Sequence, residues 1–150
     1  MNRRSNWEDF KNILEQNHIT KLYHFTDRDN LENIIKNGGL YSWKDCEERG
    51  INIPKPGGGG PGSPSWSLDK RDNLEHYVRV SFTMNHTMMY VAMNEDRISN
   101  PVILEIDPEV IYDENTKYAD RNAVRNGAHV GGSLEDFKKI HFQTVKARNH

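Results

Sequence analysis

A chain of 150 residues, 35% hydrophobic and 28% charged, is long enough to bury a core as one domain over residues 1–150, and its mean hydropathy of −0.89 leaves no apolar run of membrane-spanning length. Twenty basic against 22 acidic residues give a formal net charge of −2, without the basic excess of a dedicated duplex-binding domain. A single cysteine, Cys46, excludes an internal disulfide and a multi-cysteine zinc site, and MNRRSNWEDF has no apolar stretch behind it to make a secretory signal, so a reducing, cytoplasmic home is expected.

Ser5 and Glu8 have capping-box spacing, and Trp7, Phe10, Ile13 and Leu14 recur at helical intervals, predicting an N-terminal helix that ends at Asn17-His18. Lys21 to Leu40, KLYHFTDRDNLENIIKNGGL, then reads as a short strand carrying His24 and Thr26, a turn, and an amphipathic helix with Leu31, Ile34 and Ile35 on one face. Asp29 and Glu32 have capping-box spacing at its start, and Gly38-Gly39 can stop it in left-handed geometry. A polar pair at the end of a strand, followed by a helix and a Gly-Leu turn, is an economical way to build a ligand cleft.

Ser42 can cap a short helix over WKDCEERG and Gly50 can end it, while acidic neighbours would raise the Cys46 thiol, which reads as a packing residue. Residues 51–67, INIPKPGGGGPGSPSWS, are expected to form a long flexible loop, because glycine and proline there leave no regular element. The run of glycines lacks the Walker lysine and the following Ser/Thr, so it is not a P-loop. Tyr77 to Thr83 alternates, with Val78, Val80 and Phe82 on an apolar side and Arg79 among the polar residues, predicting a strand; Asn85 is expected to cap a helix over HTMMYVAM, its methionines serving as adaptable core. Pro101 opens VILEID, a second alternating strand, with Glu105 on its solvated side. Ser133 is expected to cap a last helix, LEDFKKIHF, and QTVKARNH carries no stop signal of its own, the mark of a chain cut within its domain.

Among the seven histidines no pair has HExxH spacing and none adjoins a cysteine pair, so no metal is expected; there is no GxSxG, and paired-carboxylate hydrolysis stays open. Lys70-Arg71 with Arg79, and Arg121 to Arg125, are candidates for a local nucleic-acid surface or a solvated one. His24 and Thr26 on one strand, Phe82 on another and Tyr90 on the following helix suit a nucleotide-like ligand, since imidazole and hydroxyl groups hold ribose hydroxyls and an aromatic ring stacks on a flat heterocycle. Each of them also has a purely structural reading.

LYHFTDRDNLENIIKNGGL resembles the first nicotinamide-binding motif of the histidine-type ADP-ribosyltransferases, and VRVSFTMNHTMMY resembles their second, a strand ending in an aromatic followed by a helix carrying a tyrosine. The ordered set YHFTDRDNLENII, SWSLDKRDNLEHYVRVSFTMNHTMMY, PVILEIDPEVI and YADRNA is similar to the DarT toxins, which ADP-ribosylate bases in single-stranded DNA using NAD, from Leu22 to Phe142. The resemblance implies an α+β fold, a split mixed and antiparallel sheet with flanking helices around an NAD cleft. It implies a toxin of a toxin-antitoxin or phage-defence system, with single-stranded DNA and an antitoxin protein as partners and neither metal nor membrane.

Carried over by position, His24 would bind the nicotinamide ribose with Thr26 beside it, and Tyr90 would stack against the nicotinamide ring. Phe82 would line the pocket, Gly39 and Leu40 would shape its wall, and Phe25 and Asn30 are assigned to the cofactor with them. Arg71 best fits the family's catalytic arginine, acting with His24, and Arg49 is the runner-up; Arg49, Arg79 and Asn122 are assigned to the substrate. DarT proteins carry a glutamate that stabilises charge on the ribose, in a strand reading like QAEVLV. Nothing like it follows Phe142, and Glu135, the last glutamate, has a helical context. A truncated or impaired family member is therefore expected, unless a partner brings the glutamate. The rivals are a module that binds NAD, ADP-ribose or nucleic acid without turnover, and an enzyme acting on RNA or protein.

Overall fold

The computed structural model describes residues 1–123 and 125–147, and the fold is α+β. Among the described residues the elements run α1 (Trp7–Gln16), β1 (Leu22–Asp27), a 3-10 turn (Arg28–Asn30), α2 (Leu31–Lys36), α3 (Trp43–Arg49), α4 (Pro64–Arg71) and α5 (Thr87–Asn94). They continue with β2 (Pro101–Ile106), a second 3-10 turn (Pro108–Tyr112), β3 (Tyr118–Ala119), β4 (Val130–Gly131), α6 (Leu134–Lys138) and α7 (Phe142–Ala147). β1 pairs with β2 in one two-stranded sheet; β3 pairs antiparallel with β4 in another, Tyr118 opposite Gly131 and Ala119 opposite Val130. The chain folds as two compact units, one drawing on Met1–Tyr23, Phe82–Met84 and the described residues from Glu105 onward, the other on His24–Ser81 and Asn85–Leu104.

The first unit is built on an aromatic core. Phe10 and Leu14, one turn apart on α1, are buried with Leu22, Ile111, Tyr112, Tyr118, Phe137, Ile140 and Phe142. Phe137 meets Tyr118 and Phe142 edge-on, with ring centroids 4.9 and 5.3 Å apart. Buried Tyr118 keeps its hydroxyl satisfied by donating to the Ile111 carbonyl at 2.5 Å, and burial pushes its pKa up to about 12. Arg4 fans its guanidinium onto the carbonyls of Asp113, Thr116 and Gly132 and lies 4.9 Å from the Phe10 ring centroid. The expected Ser5–Glu8 capping box is not made: Asn6 stands at the N-cap, without a side-chain cap bond.

The predicted last helix is also interrupted. Ser133 caps α6 in a full capping box with Asp136, but α6 stops at Lys138 and α7 begins at Phe142. In one continuous helix Phe142, five residues after Phe137, would point about 140° away from it. The break returns its ring to Phe137.

In the second unit a 3-10 turn, Arg28–Asn30, precedes the helix expected after β1, and α2 itself begins at Leu31 without a side-chain cap bond. Asp27, rather than Asp29, supplies the cap, and it caps that turn: its carboxylate accepts from the Asp29 amide at 2.9 Å. α3 is capped by Ser42 and ended by Gly50 at φ 67°, as its composition predicts. The Gly/Pro-rich segment gives way to α4 at Pro64, because Ser63 caps the Trp66 amide and proline is at home in a first helical turn.

The strand expected over Tyr77 to Thr83 is absent, with only Ser81 in a β-bridge. Period-two alternation needs a neighbouring strand, whereas here the Arg79 carbonyl is bound by the His24 imidazole and Val80 stays 38% exposed. α5 is capped by His86 instead of Asn85, its Nδ1 accepting from the Met88 amide at 3.1 Å.

Candidate functional site

His24 leaves β1 half-buried, with Nδ1 2.7 Å from the Arg79 carbonyl oxygen. A carbonyl oxygen only accepts, so Nδ1 carries the hydrogen and the neutral ring keeps its lone pair on Nε2. Burial pushes the imidazole below its ordinary pKa, outweighing the Arg79 carbonyl, which favours the protonated ring. The side chain is thereby a neutral acceptor of defined tautomer. Phe25 follows it, its ring 5.9 Å from that of His86 and 3.9 Å from the position a Cβ on Gly57 would take.

Arg79 is held from its other end. Its guanidinium pairs with buried Asp69, whose second carboxylate oxygen accepts from Trp43 Nε1 at 2.8 Å. Trp43 stacks on Trp66 at 4.1 Å between centroids, with planes 10° apart. The loop carrying Arg79 is thus fixed to α3 and α4 by a charge-assisted chain, and the His24 hydrogen bond inherits that rigidity.

Below β1 lies a second buried polar group. Asp27, fully buried, accepts from the amides of Asp29, Ser99 and Asn100 at 2.9, 2.8 and 3.2 Å. Burial by itself would raise its carboxyl, but these three N–H groups and the Lys55 ammonium hold it below the usual carboxylate range. Asn30, 1% exposed, donates through Nδ2 to Thr26 Oγ1 at 3.0 Å and to the Lys55 carbonyl at 2.8 Å, and accepts from the Lys55 amide at 2.9 Å. Lys55 reaches back with Nζ to Asp29 at 3.2 Å and Ser99 at 3.0 Å.

Of the residues singled out from sequence, His24, Phe25, Thr26, Asn30, Gly39, Leu40, Arg49, Arg71, Arg79 and Tyr90 all belong to the second unit. Direct contacts join His24 to Arg79 and Thr26 to Asn30. The others have partners elsewhere in that unit: Arg49 lies 4.5 Å over the Tyr41 ring, and Arg71 is bound bidentately by Asp72 at 2.8 and 2.9 Å. Tyr90, 48% exposed on α5, directs its hydroxyl at Asn85, 3.5 Å away. Gly39 and Leu40 form the turn after α2, behind Gly38 at φ 80°.

Phe82 and Asn122 belong to the first unit. Phe82 packs against Phe142 and Phe137 at 5.5 and 6.5 Å, and the Asn122 carbonyl accepts the Arg125 amide in the turn between β3 and β4. Asp45, Glu48 and His76 bring three donor atoms within 4.8 Å of one another, the His76 ring bonded to Asp45 at 2.8 Å. Asp27, Lys55 and Asp69 escaped the sequence reading. Asp27 two residues before Asp29 carries an Asx-turn signal that finds it, whereas the long-range partners of Lys55 and Asp69 have no local signature.

No helix among the described residues is long and apolar enough to cross a membrane. The family model described as ssDNA thymidine ADP-ribosyltransferase, DarT, matches residues 23–150, taking in every residue of the site above. No curated protein and no solved structure matches the chain.

Proposed function

Since this chain belongs to the DarT family of ssDNA thymidine ADP-ribosyltransferases, we propose that it binds NAD through the β1–α2 motif and transfers ADP-ribose to a thymine base of single-stranded DNA. NAD would supply the ADP-ribosyl group: its bond to nicotinamide breaks, nicotinamide leaves with the electron pair, and a base atom that gives up a proton takes its place.

The residues on hand fit that substrate. His24 offers Nε2 as an acceptor for a ribose hydroxyl, and Thr26, two residues along the same strand, offers a hydroxyl. The half-exposed ring of Tyr90 is available to stack on a flat heterocycle. Gly39, Leu40 and Phe25, in the same unit, would form the surroundings. An arginine would steady developing charge. Arg71 would first have to leave Asp72, while Arg49 rests on an aromatic ring, so the two arginines are to be tested side by side. The observation that supports the reading most is His24, whose neutral tautomer is set by the Arg79 carbonyl inside the matched segment.

The test is incubation with NAD and an oligonucleotide holding one thymine, read by nicotinamide release and by the oligonucleotide's gain of one ADP-ribose in mass. Modification of the thymine oligonucleotide alone, reduced at least tenfold by His24→Ala, is expected. Labelling of a thymine-free strand, an RNA or a protein instead would move the target. The second reading is a module that binds NAD or ADP-ribose without turnover. NAD binding with no nicotinamide release would establish that alternative. A cytoplasmic toxin neutralised by an antitoxin protein is the biological setting that suits the enzyme.

A further inference from the structure

Asn30 was assigned to the cofactor by its place in the motif, yet it is 1% exposed and both its N–H donors are spent on Thr26 Oγ1 and the Lys55 carbonyl. It has no donor left for a ligand. We propose that Asn30 is a positioning residue: it aims the Thr26 hydroxyl hydrogen outward as a donor to NAD, and it fastens the start of the Gly/Pro segment at Lys55 beside that hydroxyl. The inference deepens the NAD-binding reading and rests on it.

The argument is one of hydrogen-bond direction. Thr26 Oγ1 receives a hydrogen from Asn30 and so turns its own hydrogen away from it. A hydroxyl that can rotate freely loses that freedom on binding, whereas one already oriented does not, which is the advantage of preorganisation. The same amide carries a two-bond clip with the Lys55 backbone, accepting from N–H at 2.9 Å and donating to C=O at 2.8 Å. Lys55 is in turn tied by its side chain to Asp29 and Ser99. Two residues further on, the Gly57 carbonyl is bound by Arg97, and a Cβ at Gly57 would come within 3.9 Å of the Phe25 ring. The segment that begins at Lys55 is therefore set against the residue that follows His24. Asn30 thus touches both Thr26 and this segment.

Asn30→Asp is the informative substitution. The carboxylate is isosteric but only accepts, so Thr26 must reverse and donate to it, withdrawing its hydrogen from the ligand. Asn30→Ala removes the interaction altogether. A double-mutant cycle with Thr26→Val, read as the dissociation constant for NAD by calorimetry, separates positioning from general support. Each single variant is expected to weaken NAD about tenfold, the loss of about one hydrogen bond. In the Thr26→Val background both Asn30 variants should add less than about twofold. Hydrogen exchange supplies the second readout: Asn30→Ala and Asn30→Asp should speed exchange of the Lys55 amide, and Thr26→Val should leave it unchanged.

If the losses from Asn30 and Thr26 simply add, or if exchange at Lys55 does not respond, the positioning role is overturned while NAD binding stands. If the unaltered protein binds no NAD, the underlying reading fails and this inference with it. Should Asn30→Ala not fold, Asn30→Asp and Thr26→Val complete the cycle on their own.

Discussion

Replacing Arg4 by lysine keeps the charge but not the planar fork that reaches four backbone carbonyls at once, at Asp113, Glu114, Thr116 and Gly132. A loss of about 2 kcal/mol in urea unfolding is expected, because part-buried carbonyls are left short of donors. Asp27 poses the complementary problem, a buried acceptor serving three amides. Asp27→Asn turns one acceptor into a donor facing N–H groups, and a cost of about 2–3 kcal/mol follows. Acid acts on two of these groups in sequence. The folded pKa of His24 lies below its ordinary 6.5, so the unfolded chain binds the proton more readily and stability falls as pH drops below that value. Asp27 is likewise depressed below 3.8, so its contribution is present above that pH and is lost as pH falls further through the folded value. His76, raised by its bond to Asp45, works in the opposite direction, so the check is the difference between wild type and His24→Gln: the denaturation midpoint of wild type relative to the variant should fall as pH drops from 7 to 5, and a constant difference would refute the assignment.

Among the elements, those whose start and stop are both local were readable in advance. α3 has its Ser42 cap and Gly50 stop within nine residues, and both work as their chemistry requires. Removing such a cap has a known effect: Ser133→Ala, which deletes one half of the α6 capping box, should lower stability by about 1 kcal/mol, measured by thermal unfolding. Elements that depend on distant partners were not readable. Tyr77 to Thr83 alternates like a strand, but its carbonyl at Arg79 is engaged by His24, 55 residues earlier in the chain. The gap between α6 and α7 likewise answers to Phe137 and its ring partners, not to any helix breaker in KIHF.

For the molecule as a whole, the α+β class and the family could be read from the order of motifs, while the partition into two units could not, because it depends on which side chains meet across long stretches of chain. Phe82 illustrates this: its motif groups it with His24 and Tyr90, yet its ring packs with Phe137 and Phe142. Charge is a whole-molecule property too. With a net charge of −2, the proposed capture of single-stranded DNA would not rest on broad phosphate neutralisation. A shallow salt dependence is expected, with log K against log[salt] sloping by about −1 to −3, as for roughly two to four phosphate contacts. A slope several times steeper would mean a basic surface larger than these residues provide.

The aromatic core of the first unit also bears on how the protein can be shortened. Family similarity begins at residue 23, but Phe10 and Leu14 lie upstream of that boundary in the middle of the core, and Arg4 stitches the same region together. A chain trimmed to the matched segment would present the rings of Tyr118 and Phe137 to water where Phe10 had covered them. The limit of recognisable kinship and the limit of the folding unit are therefore different places on this chain, and any minimal version should be cut by the second.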